Sequence, residues 1–257
     1  MRIRFLALGL VALALVFAAC GGSGDGKTTA PSTTNSSPAT GPATTSALKM
    51  GDEVTAKGTQ LTKPAHPDSR QIDPELACRT FVEAVDGNCD IVMMAGGNAL
   101  WTVEPIADGG SGERVWRVRI RVRSKTMADG GWDIALQSPD GARFANVSVV
   151  SHDVTGDGKP DLLVGYRSGG TGQFESYDVV TYDEGKPLAV IAHREGLHKG
   201  SVSLGGSNIV DYSADEQSPE CCPTRASRTV IAFEKNAFGV TGVTDVPIDA
   251  QPPDLFA

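Results

Sequence analysis

From Asp90 onward the chain is a succession of short apolar runs broken by Gly, Asp, Asn and Pro, and this rhythm narrows the folds open to it. Strands are expected at Trp101–Ile106, Val115–Arg123, Asp133–Leu136, Asn146–Val150, Leu162–Tyr166, Phe174–Tyr182, Leu188–His193, Ser201–Leu204, Ile209–Tyr212, Thr229–Phe233 and Val240–Val243. Short strands at this spacing, with no long helical period between them, argue for an antiparallel meander. Thirty Gly, fifteen Pro and only 6% aromatic residues suit such a turn-rich chain. The expected fold is therefore mainly β, with a propeller-like blade, an open barrel and a sandwich all compatible. One short helix is expected before it, over 74–85. There Asp73 is placed as an N-cap, Pro74 as the first helical residue and Glu75 as an early acid.

The start of the chain has a different composition. Met1-Arg2-Ile3-Arg4 carries two positive charges, and Phe5–Ala19 follows with 15 uncharged residues. A membrane-spanning helix needs about 20. Phe17-Ala18-Ala19-Cys20 closes the run with small residues before a cysteine. This pattern resembles a bacterial lipoprotein signal, with Phe17 standing where Leu is commonest. The resemblance implies cleavage after residue 19 and a diacylglycerol with palmitate-type chains on Cys20. It also implies anchoring on the extracytoplasmic face of the cell membrane. Two or three acyl chains hold firmly, at ~0.8 kcal/mol per buried CH₂.

Residues 20–48 are nearly all Gly, Ser, Thr, Pro and Ala and hold no large apolar side chain until Leu48. They read as a disordered stalk, because too little surface can be buried to offset ordering entropy. Residues 49–72 read as a poorly ordered lead-in, 73–250 as the β domain and 251–257 as a tail. The formal net charge is −8, and loss of Arg2 and Arg4 with the signal lowers it by two. That balance argues against nucleic acid as a partner. The partners expected are the membrane, through the lipid, and an envelope polymer or protein.

Beyond Cys20 there are Cys78, Cys89, Cys221 and Cys222, an even number suited to disulfides outside the cytoplasm. One arrangement joins Cys78 to Cys89 and leaves Cys221 and Cys222 to each other. The other ties both vicinal cysteines back to Cys78 and Cys89, and the strain of a vicinal ring favours it.

Two constellations stand out in the β domain. Asp153-x-Thr155-x-Asp157-Gly158-Lys159-x-Asp161 has the oxygen spacing of a calcium loop, with the Lys159 carbonyl as a fifth donor. A metal-free hairpin turn is the competing reading, since Gly and Asp tolerate positive φ. Asp153, Gly156, Asp157, Gly158, Asp161, Leu162 and Val164-Gly165 resemble the FG-GAP and VCBS-type repeats of extracellular β-propellers. That resemblance covers about one blade and implies a structural Ca²⁺ rather than an enzyme. Cys221-Cys222-Pro223 with Thr229–Phe233 resembles the closing section of secreted actinobacterial proteins.

The second constellation is Arg117, Arg119, Arg121 and Arg123, alternating with Trp116, Val118, Ile120 and Val122. On a strand these arginines share one face. They are candidate anion ligands, with pairing to Asp or Glu on neighbouring strands as the plainer expectation. His66, His152, His193 and His198 form no HExxH motif, and no GxSxG elbow occurs. Ser168–Gly172 is glycine-rich without a following helix. A non-catalytic binding or scaffolding domain is expected. The alternative is a secreted hydrolase, for which His152, His193 and carboxylates would have to converge.

Overall fold

The computed structural model describes residues 48–55, 73–79, 81, 89–95, 97–106, 115–123, 131–137, 146–168, 173–183, 186–215 and 222–257. Cys20, the stalk, His66 and Cys221 lie outside them. The elements are β1 (Glu53–Val54), α1 (Pro74–Arg79), β2 (Cys89–Met94), β3 (Gly97–Ile106), β4 (Val115–Arg123), β5 (Trp132–Gln137), β6 (Asn146–His152), β7 (Asp161–Arg167), β8 (Phe174–Thr181), β9 (Ala189–His198), β10 (Ser201–Gly205), β11 (Asn208–Ala214), β12 (Arg225–Glu234) and β13 (Ala237–Pro247). A short 3-10 turn follows at Ile248–Ala250.

The strands form three antiparallel meanders in chain order: β2-β3-β4-β5, β6-β7-β8-β9 and β10-β11-β12-β13. β1 adds to the outer edge of the third, pairing with β13. Tight turns set the registers. Between Glu234 and Ala237 the loop is Lys235-Asn236, both with positive φ, which is the twist a two-residue hairpin requires.

The middle sheet, β6–β9, is covered on both faces. Leu162, Val164 and Tyr166 of β7 pack with Val103, Val118, Ile120 and Val122 of the first sheet. Leu163 faces the other way and packs with Val202, Ile209, Ile231 and Phe238 of the third. Period-two side chains thus feed two cores from one strand. Gly165 also points at the third-sheet side, where a Cβ would lie 2.3 Å from the Phe256 ring. Only glycine admits that ring.

Several expectations on the chain's organisation are corrected. α1 ends at Arg79, and Phe81 is already in a turn with its N–H on the Cys78 carbonyl, so the helix does not run to 85 as one piece. The lead-in contributes β1, and the tail packs, with Phe256 buried at 4% exposure. Cys78 is bonded to Cys89, with Cα atoms 5.8 Å apart. That overturns the expected tie between the vicinal cysteines and the start of the domain. The reason is local: Cys78 on α1 and Cys89 at the start of β2 are only 11 residues apart in sequence.

Candidate functional site

The arginines of β4 lie on the face of the first sheet turned away from the second. Across the sheet, Cys89, Thr102, Arg119 and Gln137 share one row. Arg119 and Arg121 both bind the Glu104 carboxylate of β3, and Arg121 also meets the Thr102 hydroxyl. Arg119 donates from Nε to Gln137 at 3.0 Å. The Phe81 ring covers the Arg121 guanidinium, 4.5 Å from its centroid, a cation–π contact. Arg121 is consequently buried at 4% exposure. Burial pushes the Glu104 carboxyl up, but Arg121, Thr102 and Arg119 together outweigh it and hold the carboxyl below its ordinary range. Arg117 is half-buried, and of Arg123 only the main chain is described. Two of the four candidate anion ligands are therefore already engaged by an internal anion. This is the cross-strand pairing named above, and it corrects the picture of an open cationic ladder.

The 153–161 loop uses its oxygens on its own backbone. Asp153 accepts the Gly156 N–H at 2.7 Å and the Gly158 N–H at 2.9 Å. Asp157 accepts the Lys159 N–H at 2.8 Å. Asp161 is buried and accepts the Val154 and Thr155 N–H groups and the Thr155 hydroxyl, each at 3.1 Å. Burial raises the Asp161 carboxyl above its usual range against those donors. Gly156 and Gly158 have φ of +74° and +83°, so the turn needs both glycines. Among the described residues no three His, Cys, Asp or Glu side chains are grouped to hold a metal ion. Each Asp153 oxygen accepts one amide and keeps a further lone pair.

The histidines do not converge. His152 is on β6 and contacts the Gly206 carbonyl at 2.9 Å. His193 is on β9, at the opposite edge of the same sheet, more than three strand spacings or ~14 Å away, because the registers also set it further along the strand. His193 faces Asp178 of β8, its register partner, with Nδ1 2.6 Å from the carboxylate and Nε2 3.4 Å from Glu195. Tyr166 donates to the same Asp178 at 2.8 Å. Burial lowers the His193 imidazolium, but Asp178 and then Glu195 outweigh it, so its pKa is raised. An Asp–His pair is one component of base catalysis, whereas a nucleophile within reach is another.

Sequence reasoning missed two charged clusters between the second and third sheets. Asp211 of β11 is fully buried and accepts from Arg194 Nε at 3.0 Å and from the Tyr177 hydroxyl at 3.3 Å. Its carboxyl is raised by burial, against the Arg194 charge. Glu175 of β8, Arg167 of β7 and Asp254 form the second cluster. The available signal was a carboxylate inside an apolar strand, as in Ile209-Val210-Asp211-Tyr212. Comparison with protein-family models, curated proteins and solved structures returned no match.

Proposed function

We propose that this chain is a lipid-anchored lipoprotein of the cell envelope whose β domain binds or scaffolds rather than catalyses. The observation that carries the non-catalytic half is where the charges go. Glu104 occupies Arg119 and Arg121, Asp178 faces His193, Asp211 holds Arg194 and Asp254 holds Arg167. Among the described residues, these charged groups are engaged with each other. The anchoring half rests on Arg2, Arg4, the Phe5–Ala19 run and Cys20, with the stalk placing the domain off the membrane. The partner in this reading is an envelope polymer or protein, met through the exposed strand edges and loops. Calcium enters it as a stabiliser of the 153–161 loop, supported by the five oxygen donors in its sequence.

Metabolic labelling with a palmitate analogue, followed by fractionation, tests the anchor. The wild-type chain is expected to carry label in the membrane fraction, and Cys20→Ser to lose both label and membrane retention. Equal labelling of the two would end the lipoprotein reading. The hydrolase alternative has the Asp178–His193 pair in its favour. Esterase, glycosidase or peptidase turnover lost in His193→Gln, with the fold intact, would replace the scaffold by an enzyme.

A further inference from the structure

The segment after the 3-10 turn is strapped across the middle and third sheets. The Ser201 hydroxyl donates to the Gln251 side-chain oxygen at 3.2 Å, the Leu255 N–H to the Val202 carbonyl at 2.7 Å, and the Val202 N–H to Asp254 at 3.0 Å. Beyond Asp254, Phe256 fills the space over Gly165. The strap therefore enters the core beside Leu163 and Val202.

Beneath it lies an uneven set of charges. Glu175 is only 1% exposed, and neither of its oxygens has a hydrogen-bond donor. Arg167 Nη2 is 3.7 Å from Glu175 but in direct contact with Asp254, so this cation is committed to the strap. From β9, Leu197 stands opposite Glu175 and brings no charge. His198 stacks on Phe174, on the other face, and Arg194 is bound to Asp211. From β10 comes the Val202 N–H, already given to Asp254. Among the described residues, two carboxylates thus face one guanidinium, with Glu175 at 1% exposure fully shut off from water and Arg167 reaching it at the edge. Ionising Glu175 there leaves its buried charge without a committed partner, since Arg167 is held by Asp254.

We propose that residues 252–257 are a proton-gated clasp on the middle sheet, closed while Glu175 carries its proton and opened when Glu175 is ionised. Closed, the Glu175 O–H lies beside the Asp254 carboxylate, and Arg167 balances the remaining negative charge. When Glu175 gives its proton to water, two like charges are held together by one cation, and of these groups Asp254 alone lies outside a sheet strand. Opening returns both carboxylates to solvent and bares the slot over Gly165. Burial first, and then the Asp254 charge, push the Glu175 carboxyl up to about 8. In the open form it returns toward its ordinary 4.5. The closed form thus binds the proton more tightly, so closure weakens as pH rises between those values and levels off above the higher one.

Hydrogen–deuterium exchange of the full chain, corrected for intrinsic exchange at each pH, reads the clasp through the Leu255 and Val202 amides. In the wild type, protection of these amides is expected to fall at least ~100-fold from pH 5 to pH 9, as each unit of linked shift is worth a factor of ten. Protection of the Leu163 and Val179 amides in the core should stay unchanged. In Glu175→Gln, which cannot ionise, the Leu255 loss should vanish. If that variant does not fold, Asp254→Asn removes the repulsion and frees Arg167 for Glu175, and should shrink the fall at Leu255, burial of Glu175 leaving a smaller one. A fall at Leu255 retained in full in the folded variant overturns the clasp. So does a parallel fall in the core amides, which marks global unfolding, and so does a flat wild-type profile.

Discussion

β4 and β7 are both inner strands of four-stranded meanders, yet they solve burial differently. β4 alternates: Val118, Ile120 and Val122 go to the core, while Arg119 and Arg121 stand on the far face and find Glu104. β7 is buried along nearly its whole length, because sheets lie on both sides of it. The lesson is about where charge can be placed. Beside β4, charge sits under Phe81 at the rim, where Arg119 keeps 21% of its side chain exposed. Around β7 charge lies inside, between the two sheets, and is neutralised pair by pair, as with Arg194 of β9 and Asp211 of β11.

Three substitutions sharpen this contrast. Leu163→Ala opens a cavity in a two-sided core and should cost about 2–5 kcal/mol in urea unfolding. Arg121→Ala removes a cation that is buried under one aromatic ring and leaves Glu104 with Arg119. Its cost should be smaller, about 1–3 kcal/mol, for the partly stranded carboxylate. A larger loss at Arg121 than at Leu163 would break the distinction between the two strands. The smallest effect is expected at His193. Its pKa is raised in the folded state by Asp178 and Glu195. Its stabilising contribution is therefore full below the ordinary imidazole range near 6.5 and is lost as pH rises through the folded value. His193→Gln should lie furthest below wild type in acid, with the gap closing toward alkaline pH. A gap that widens toward alkaline pH would reverse the assignment.

The strands were legible because alternation is a local property. Nine of the β4 residues read as a strand from their own order, and Leu162–Tyr166 did so as a short apolar run. The two-sidedness of β7 was not legible, because it depends on Ile209, Ile231 and Phe238, which arrive much later in the chain. β2 was missed, since Asp90 interrupts its apolar pattern and Met93 is exposed. The fate of the arginines was legible only as a general expectation of pairing. The identity of Glu104 as partner follows from the β3–β4 register, which no local signal sets. The strap escaped notice because Gln251-Pro252-Pro253-Asp254 reads as a loose end, while the cue lay at Gly165, a gap in an otherwise bulky strand. For the cysteines both arrangements were open, and the strain of a vicinal ring was given more weight than the nearness of Cys78 to Cys89, which the structure shows bonded.

The central claim is that the interior charges serve the stack of sheets, and the Arg194–Asp211 pair tests it most directly. In a double-mutant cycle followed by urea unfolding, Arg194→Leu and Asp211→Leu should each cost about 3–5 kcal/mol, because each leaves a buried charge alone. The double variant should recover most of that loss, giving a coupling of at least ~2 kcal/mol. Additive losses, with no recovery in the double variant, would show that the two charges do not stabilise the stack through each other and would contradict the account.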